Sequence, residues 1–192
     1  MAQKLILASA SPRRRELLAQ LGLDFKVIPS GIDEAFLPSG PPELAAVRLA
    51  DQKAADVALR AGEGIVIGAD TIVVVDDIIL GKPEDENNAR EMLTRLSGRW
   101  HSVYTGIAVI DTASGRKISD YEESRVKFKK LSPREIENYL KTGEPMDKAG
   151  GYGIQGKGAL LVERIEGCYY NIVGLPLFKL GFMLSHFGVE IL

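Results

Sequence analysis

One apolar run broken by an acid constrains this chain more than any other stretch. Ile65-Val66-Ile67 reads as a buried strand, Gly68-Ala69-Asp70 breaks it, and Thr71-Ile72-Val73-Val74-Val75 resumes it. Apolar, β-branched runs of this kind belong to strands covered on both faces. Such a strand needs helices to cover it, and the surrounding sequence supplies them. Helices interleave with strands in the first half, and an antiparallel pair follows in the middle. The pattern predicts an α/β fold: a mixed twisted β-sheet flanked by helices on both faces. Asp76-Asp77, between two apolar segments, reads as the turn of a hairpin into Ile78-Ile79-Leu80.

The other elements follow from local chemistry. Leu5 to Ala8 reads as a buried strand. Ser11 is a good N-cap, and Pro12 suits the first position of a helix reaching about Leu21. Asp24 to Ile28 alternates like a strand. A helix runs from Pro42 to about Ala61, with Leu44, Val47, Ala50 and Ala54 as its apolar stripe and Arg48 and Lys53 on other faces. Asp85 to Leu96 is a helix with Ala89, Met92, Leu93 and Leu96 facing inward. Trp100 to Ile110 and Lys117 to Phe128 form a hairpin. Ser132-Pro133-Arg134-Glu135 is a capping box opening a helix to about Thr142. Ala159 to Ile165 and Cys168 to Val173 read as strands, and a core helix starts after Gly174-Leu175-Pro176. No repeat, low-complexity tract or linker divides the 192 residues, so one domain is expected.

Composition excludes several classes of function. Hydrophobic residues make up 45% and charged residues 26%, the balance of a soluble globular protein. With a net charge of −2 there is no basic field to gather nucleic acid, so any phosphate must be held by a local pocket. The single cysteine, Cys168, rules out an intramolecular disulfide and fits a cytoplasmic location. No apolar stretch is long enough to span a membrane.

The chemistry-bearing residues fall into three groups. Ser9-Ala10-Ser11, followed by Arg13, Arg14 and Arg15, combines hydroxyls, guanidinium groups and free helix N–H groups, which is what an anion needs. The second group is acidic. Asp70 has strongly apolar neighbours and reads as a metal ligand or a general base for water, the alternative being a turn acid that caps local N–H groups. Glu34, beside Asp33, reads by itself as a solvated loop acid. The third group is Lys53, which a helix surface usually leaves solvated, and Lys82, which the loop Gly81-Lys82-Pro83 can hold toward a site.

The glycine-rich segment Asp147 to Gly156 lets backbone approach a ligand closely, or is a mobile surface loop. In it Gln155 offers an amide to a nucleobase edge, Tyr152 a ring to stack on a base, and Lys148 a cation. His101 and His186 lack the spacing of a zinc site, and Ser9 and Ser11 lack the context of a serine hydrolase.

Eight blocks in order carry a specific resemblance: LASASPRRRELL (Leu7 to Leu18), GIDE (Gly31 to Glu34), RLADQKA (Arg48 to Ala54), GADTIV (Gly68 to Val73), LGKP (Leu80 to Pro83), LSGRWHSVYTG (Leu96 to Gly106), DKAGGYGIQG (Asp147 to Gly156) and NIVGLP (Asn171 to Pro176). Over nearly its whole length the sequence resembles the Maf family of nucleoside triphosphate pyrophosphatases. The resemblance implies a mixed sheet around a deep cleft, similar to the inosine triphosphate pyrophosphatases. It also implies cleavage of a nucleotide between the α- and β-phosphates with a divalent cation, Mg²⁺ or Mn²⁺.

By that resemblance Asp70 matches the proton acceptor, and Ser9, Arg13, Arg14, Glu34, Lys53 and Lys82 match the polar cleft. Glu34 and Asp70 are the candidate metal ligands, and Lys53 and Lys82 stabilise charge on the leaving group. Arg13, Thr71 and Gln155 match the dTTP/UTP branch rather than the 7-methyl-GTP branch. The resemblance further implies a homodimer and a house-cleaning role. Because the family has been linked to division arrest, the alternative reading is a nucleotide-binding regulator of septum formation without turnover.

Overall fold

The structure, a computed structural model, describes residues 4–32 and 40–192. Its strands are β1 (Leu5–Leu7), β2 (Phe25–Val27), β3 (Ile65–Val75), β4 (Ile78–Leu80), β5 (Trp100–Asp111), β6 (Lys117–Phe128) and β7 (Val162–Gly167). Its helices are α1 (Pro12–Gln20), α2 (Pro42–Ala58), α3 (Glu86–Leu96), α4 (Pro133–Leu140), α5 (Tyr169–Val173) and α6 (Leu177–Ser185). The strands form one sheet in the order β2-β1-β3-β5-β6-β7, with β4 paired to β3. Strand β1 runs parallel to both β2 and β3, whereas β4 is antiparallel to β3 and β7 to β6, so the sheet is mixed as expected.

Gly68-Ala69-Asp70 does not break the apolar run. Strand β3 is continuous from Ile65 to Val75, and Asp70 lies within it. Gly68 is there because helix α2 comes too close for a side chain: a Cβ would lie 2.4 Å from the Ala50 carbonyl oxygen and 2.8 Å from Ala54 N. Gly106 in β5 repeats the device, with a Cβ only 2.3 Å from the Ala46 carbonyl. The close approach also sets the buried face of α2. Ala45, Ala46, Leu49, Ala50, Lys53, Ala54 and Val57 are buried, while Leu44, expected on the stripe, is exposed. Small residues face the sheet where the backbones meet, and Lys53 turns inward with them.

Two other expectations change. Where a strand was expected over 168–173, Tyr169–Val173 forms helix α5. The Asn171 amide donates to the Val103 carbonyl (3.0 Å) and to Ser124 Oγ (2.9 Å), and Ser124 Oγ in turn accepts from Cys168 N (2.9 Å). These tertiary hydrogen bonds override the strand preference of Tyr, Ile and Val. The preceding strand begins only at Val162, because Gly156–Leu161 is a 3₁₀ segment. Helix α6 is a core helix on one side only. It buries Leu177, Leu180, Met183 and Leu184 and leaves Phe178 and Phe182 exposed.

Elsewhere local chemistry accounts for the elements. Asp76 and Asp77 both take positive φ (49° and 61°), as a two-residue hairpin turn requires, and join β3 to β4 in the register Val75↔Ile78. Helix α3 is capped by Asp85 and buries Ala89, Met92, Leu93 and Leu96. The capping box of α4 is formed by Ser132 and Glu135. Hydrogen bonds from Lys129 and from the Ser132 backbone hold the Glu135 carboxyl down at about 2.

The chain divides into two compact units. One comprises the described residues of Met1–Asp70, Thr105–Glu122 and Gly174–Leu192, and its core includes Ile6, Ala8, Ala50, Ala54, Val57, Val66 and Ala108. The other comprises Thr71–Tyr104 and Glu123–Val173, with Val73, Met92, Leu93, Val126, Phe128 and Ile136 at its centre. Among the described residues no helix is long and apolar enough to cross a membrane.

Candidate active site

In the first unit the parallel pairing of β1 and β3 brings two candidate groups to the same end of the sheet. Leu7 pairs with Ile67, and Ala8 N donates to the Ile67 carbonyl (2.8 Å). The Ser9–Ser11 loop leaves β1 two residues beyond that pair, and Asp70 sits three residues beyond it in β3. Ligands of α/β sheets bind outside the carboxyl ends of such strands.

The loop is held by its own side chains. Ser9 is buried, and its Oγ accepts from Ser11 N (3.2 Å) and from Arg14 Nη1 (3.3 Å). A hydroxyl has two lone pairs and one hydrogen. With two bonds accepted, the Ser9 O–H is left to donate, which suits a phosphate oxygen. Arg14 also donates from Nε to the Gly174 carbonyl (2.8 Å), so this guanidinium braces the loop against the start of the last segment. Ser11 caps α1 through Arg14 N, and no acidic residue occupies the first turn of that helix. No carboxylate therefore competes with an anion at its positive end. Arg13 and Arg14 are half-buried, and Arg15 is exposed.

Lys53 and Asp70 form a buried ion pair. Lys53 Nζ donates to Asp70 Oδ1 at 2.5 Å, and the two side chains are only 7% and 10% exposed. Helical spacing alone left Lys53 on a solvated face, whereas the family resemblance put it in the polar cleft. The buried alanines three and seven residues before it, Ala50 and Ala46, were the signal that placed it inward. The pair fixes where one oxygen of the carboxylate points, and Oδ2 accepts no hydrogen bond among the described residues.

Among the described residues no group of three His, Cys, Asp or Glu side chains could hold a metal. Glu34, the other candidate ligand, lies outside the described residues. A buried carboxylate with one uncommitted oxygen nevertheless fits Mg²⁺, which is commonly held by one or two carboxylates and completed by substrate phosphates and water. The donor set suits a hard cation that arrives with a polyphosphate.

The second unit carries Thr71, Lys82 and Gln155. Thr71 follows Asp70 in the strand, and alternation sends it to the opposite face of the sheet. Lys82 lies in the exposed loop after β4, and Gln155 is exposed at the start of the 3₁₀ segment. The two loops are fastened together: Gly150 N donates to the Gly81 carbonyl (2.9 Å), and Gly151 packs on Pro83. Gly150 has φ +71° and lies against Val73, so glycine is required there on both counts.

The glycine-rich segment is pinned rather than mobile. Lys148 donates to the Glu144 carbonyl (2.6 Å) and to Asp147 (2.5 Å), while its stem lies on Gly153. Glu144, which sequence reasoning passed over, accepts from Lys157 N and Gly158 N. Tyr152 is not a stacking platform for a base. It is buried, with its ring edge-on to His101 and Phe128 and its hydroxyl bonded to His101 Nε2 (2.7 Å). Burial lowers the His101 pKa to about 4 and raises that of Tyr152.

The family described as Maf-like protein matches residues 4–187. A protein named dTTP/UTP pyrophosphatase from Clostridioides difficile is 55% identical, over 95% of this chain and 94% of its own. Another of the same name from Caldicellulosiruptor saccharolyticus is 48% identical, over 99% and 98%. A solved HAM1 protein from Coxiella burnetii shares the fold, with a TM-score of 0.56 at 16% identity, over 96% of this chain and all of that one. The chain belongs to the Maf-like protein family.

Proposed function

We propose that this protein is a nucleoside triphosphate pyrophosphatase that hydrolyses dTTP and UTP to the monophosphate and pyrophosphate. The observation that carries the reading is the buried Lys53–Asp70 pair at the same end of the sheet as the Ser9–Arg14 loop. The names of the relatives at 48% and 55% identity support the substrate. Arg13, Thr71 and Gln155 agree with the pyrimidine branch.

The residues divide the work. The Ser9 hydroxyl and the Arg13 side chain hold phosphate oxygens at the positive end of α1, with Arg14 bracing Ser9. Asp70 takes the proton of the attacking water as the α–β phosphoanhydride opens, and Lys53 keeps its carboxylate aimed. Lys82 offsets charge on the departing pyrophosphate. Asp70 and Glu34 would hold Mg²⁺ or Mn²⁺, which would supply Lewis-acid stabilisation of the phosphate charge. Gln155 reads the base edge. A protein that binds nucleotide without turnover needs no proton acceptor, so pyrophosphate release discriminates this reading from that of a non-catalytic regulator.

The test is pyrophosphate release from dTTP, UTP, CTP and GTP with Mg²⁺ or Mn²⁺ present. Wild-type protein prefers dTTP and UTP, and Asp70→Asn loses on the order of 10²–10⁴-fold in rate, the usual contribution of a general base. Full dTTP cleavage by Asp70→Asn refutes the assignment.

A further inference from the structure

His101 lies on β5, outside every group assigned a role above, yet it is 3% exposed and polar. Its Nε2 is hydrogen-bonded to the Tyr152 hydroxyl at 2.7 Å, and Tyr152 is 5% exposed. The two rings meet edge to face at 5.3 Å, and Phe128 closes the cluster at 5.1 Å from His101 and 4.7 Å from Tyr152. His101 Nδ1 is buried without a hydrogen-bond partner among the described residues.

Stability alone does not account for such a pair. A buried polar atom without a partner is unfavourable, and replacing both members of a buried hydrogen bond by apolar groups of similar shape is often neutral or stabilising. A buried polar pair does what an apolar contact cannot, which is to admit one geometry. The segment that this pair fixes is the one that presents Gln155. Tyr152 stands three residues before Gln155. The next residue, Gly153, donates its N–H to the Tyr139 hydroxyl at 3.1 Å. Beyond Gln155, Lys157 N and Gly158 N donate to the Glu144 carboxylate. Gln155 is therefore an exposed amide between two anchors, and the upstream anchor depends on His101.

We propose that His101 is a positioning residue: through the Tyr152 hydroxyl it sets the orientation of Gln155 and so the preference among bases. The inference rests on the reading of Gln155 given above. It assigns His101 no contact with substrate. It makes the preference for thymine and uracil depend on a hydrogen bond between two buried side chains.

Tyr152→Phe removes the hydroxyl and keeps the ring. The expected result is a rise of about tenfold in KM for dTTP and UTP, the worth of one hydrogen bond, with kcat nearly unchanged and the margin over CTP narrowed to match. In a Gln155→Ala background the same substitution adds nothing, because the group it positioned is gone. His101→Gln, whose amide reaches the place of Nε2, retains the wild-type ranking, whereas His101→Leu reproduces Tyr152→Phe. An unchanged ranking in Tyr152→Phe overturns the proposal, as does a full additional loss in the double variant. Should Tyr152→Phe not fold, the contrast between His101→Gln and His101→Leu decides alone. If the wild-type protein shows no preference among nucleotides, the reading of Gln155 fails first. If it does and the variants match it, only the role of His101 falls.

Discussion

Replacing Lys53 by methionine leaves the Asp70 carboxylate buried without its ammonium. Both side chains are at least nine-tenths covered, so water replaces little of the lost interaction. Removing one member of a buried pair costs about 3–5 kcal/mol. For a chain of this length about 2–4 °C of Tm goes with each kcal/mol, so Lys53→Met melts roughly 6–20 °C lower. The double replacement Lys53→Met with Asp70→Leu removes both charges and keeps the volume. Such exchanges are commonly neutral or stabilising by ~1–4 kcal/mol, so the double variant melts at or above the wild-type temperature.

Urea unfolding of the wild type, each single variant and the double variant, followed by circular dichroism at pH 7, measures the cycle. Pyrophosphate release measured on the same four proteins shows activity in the wild type alone. A pair that stabilised the fold would not show this pattern; one retained for chemistry does. The reasoning is refuted if Lys53→Met costs less than about 1 kcal/mol, the range of solvent-exposed pairs.

Two further outcomes are expected. Burial lowers the His101 pKa to about 4 from 6.5, so below pH 6.5 the unfolded chain binds a proton that the folded chain refuses. The stability due to its neutral burial is complete above pH 6.5 and declines as the pH falls toward 4, by roughly 3 kcal/mol in all. His101→Gln, with no such titration, gives a flatter stability curve between pH 6.5 and 4, and parallel curves for the two proteins contradict this. Second, treatment with a chelator stops pyrophosphate release, and Mg²⁺ or Mn²⁺ restores it. Turnover that survives chelation removes the metal from the proposal.

Local patterns were legible in the sequence where contrast was strong. Helix α3 has large apolar residues at helical spacing among polar ones, and its four buried residues could be read directly. The Asp76-Asp77 turn and the α4 capping box depend on neighbours only a few residues apart. Helix α2 could not be read this way. Its alanines make a weak stripe, and the buried face is set by how closely the helix lies on Gly68 and Gly106, which is a tertiary fact. Residues 168–173 were misread for the same reason, since Asn171 finds its partners on β5 and β6.

At the candidate site, Asp70 stood out because a carboxylate among apolar neighbours needs a partner, but the identity of that partner did not. Lys53 is 17 residues away on another element. Tyr152 in a run of glycines looked like an open platform, and only the approach of His101 and Phe128 from β5 and β6 shows it closed.

The glycines under helix α2 have one more consequence. The clearance between that helix and the sheet is a dimension of the reactive centre, because it sets how far the Lys53 ammonium reaches past the backbone toward Asp70. A 2.5 Å contact leaves no slack. A misplacement of about 1 Å at a reactive centre can cost on the order of 100-fold in rate. A methyl group at position 68 or 106 would wedge the helix outward and withdraw the ammonium from a carboxylate it never touches. The tolerance of this machine is thus gauged by two missing side chains. A mutational scan would record them as folding defects although what they govern is aim.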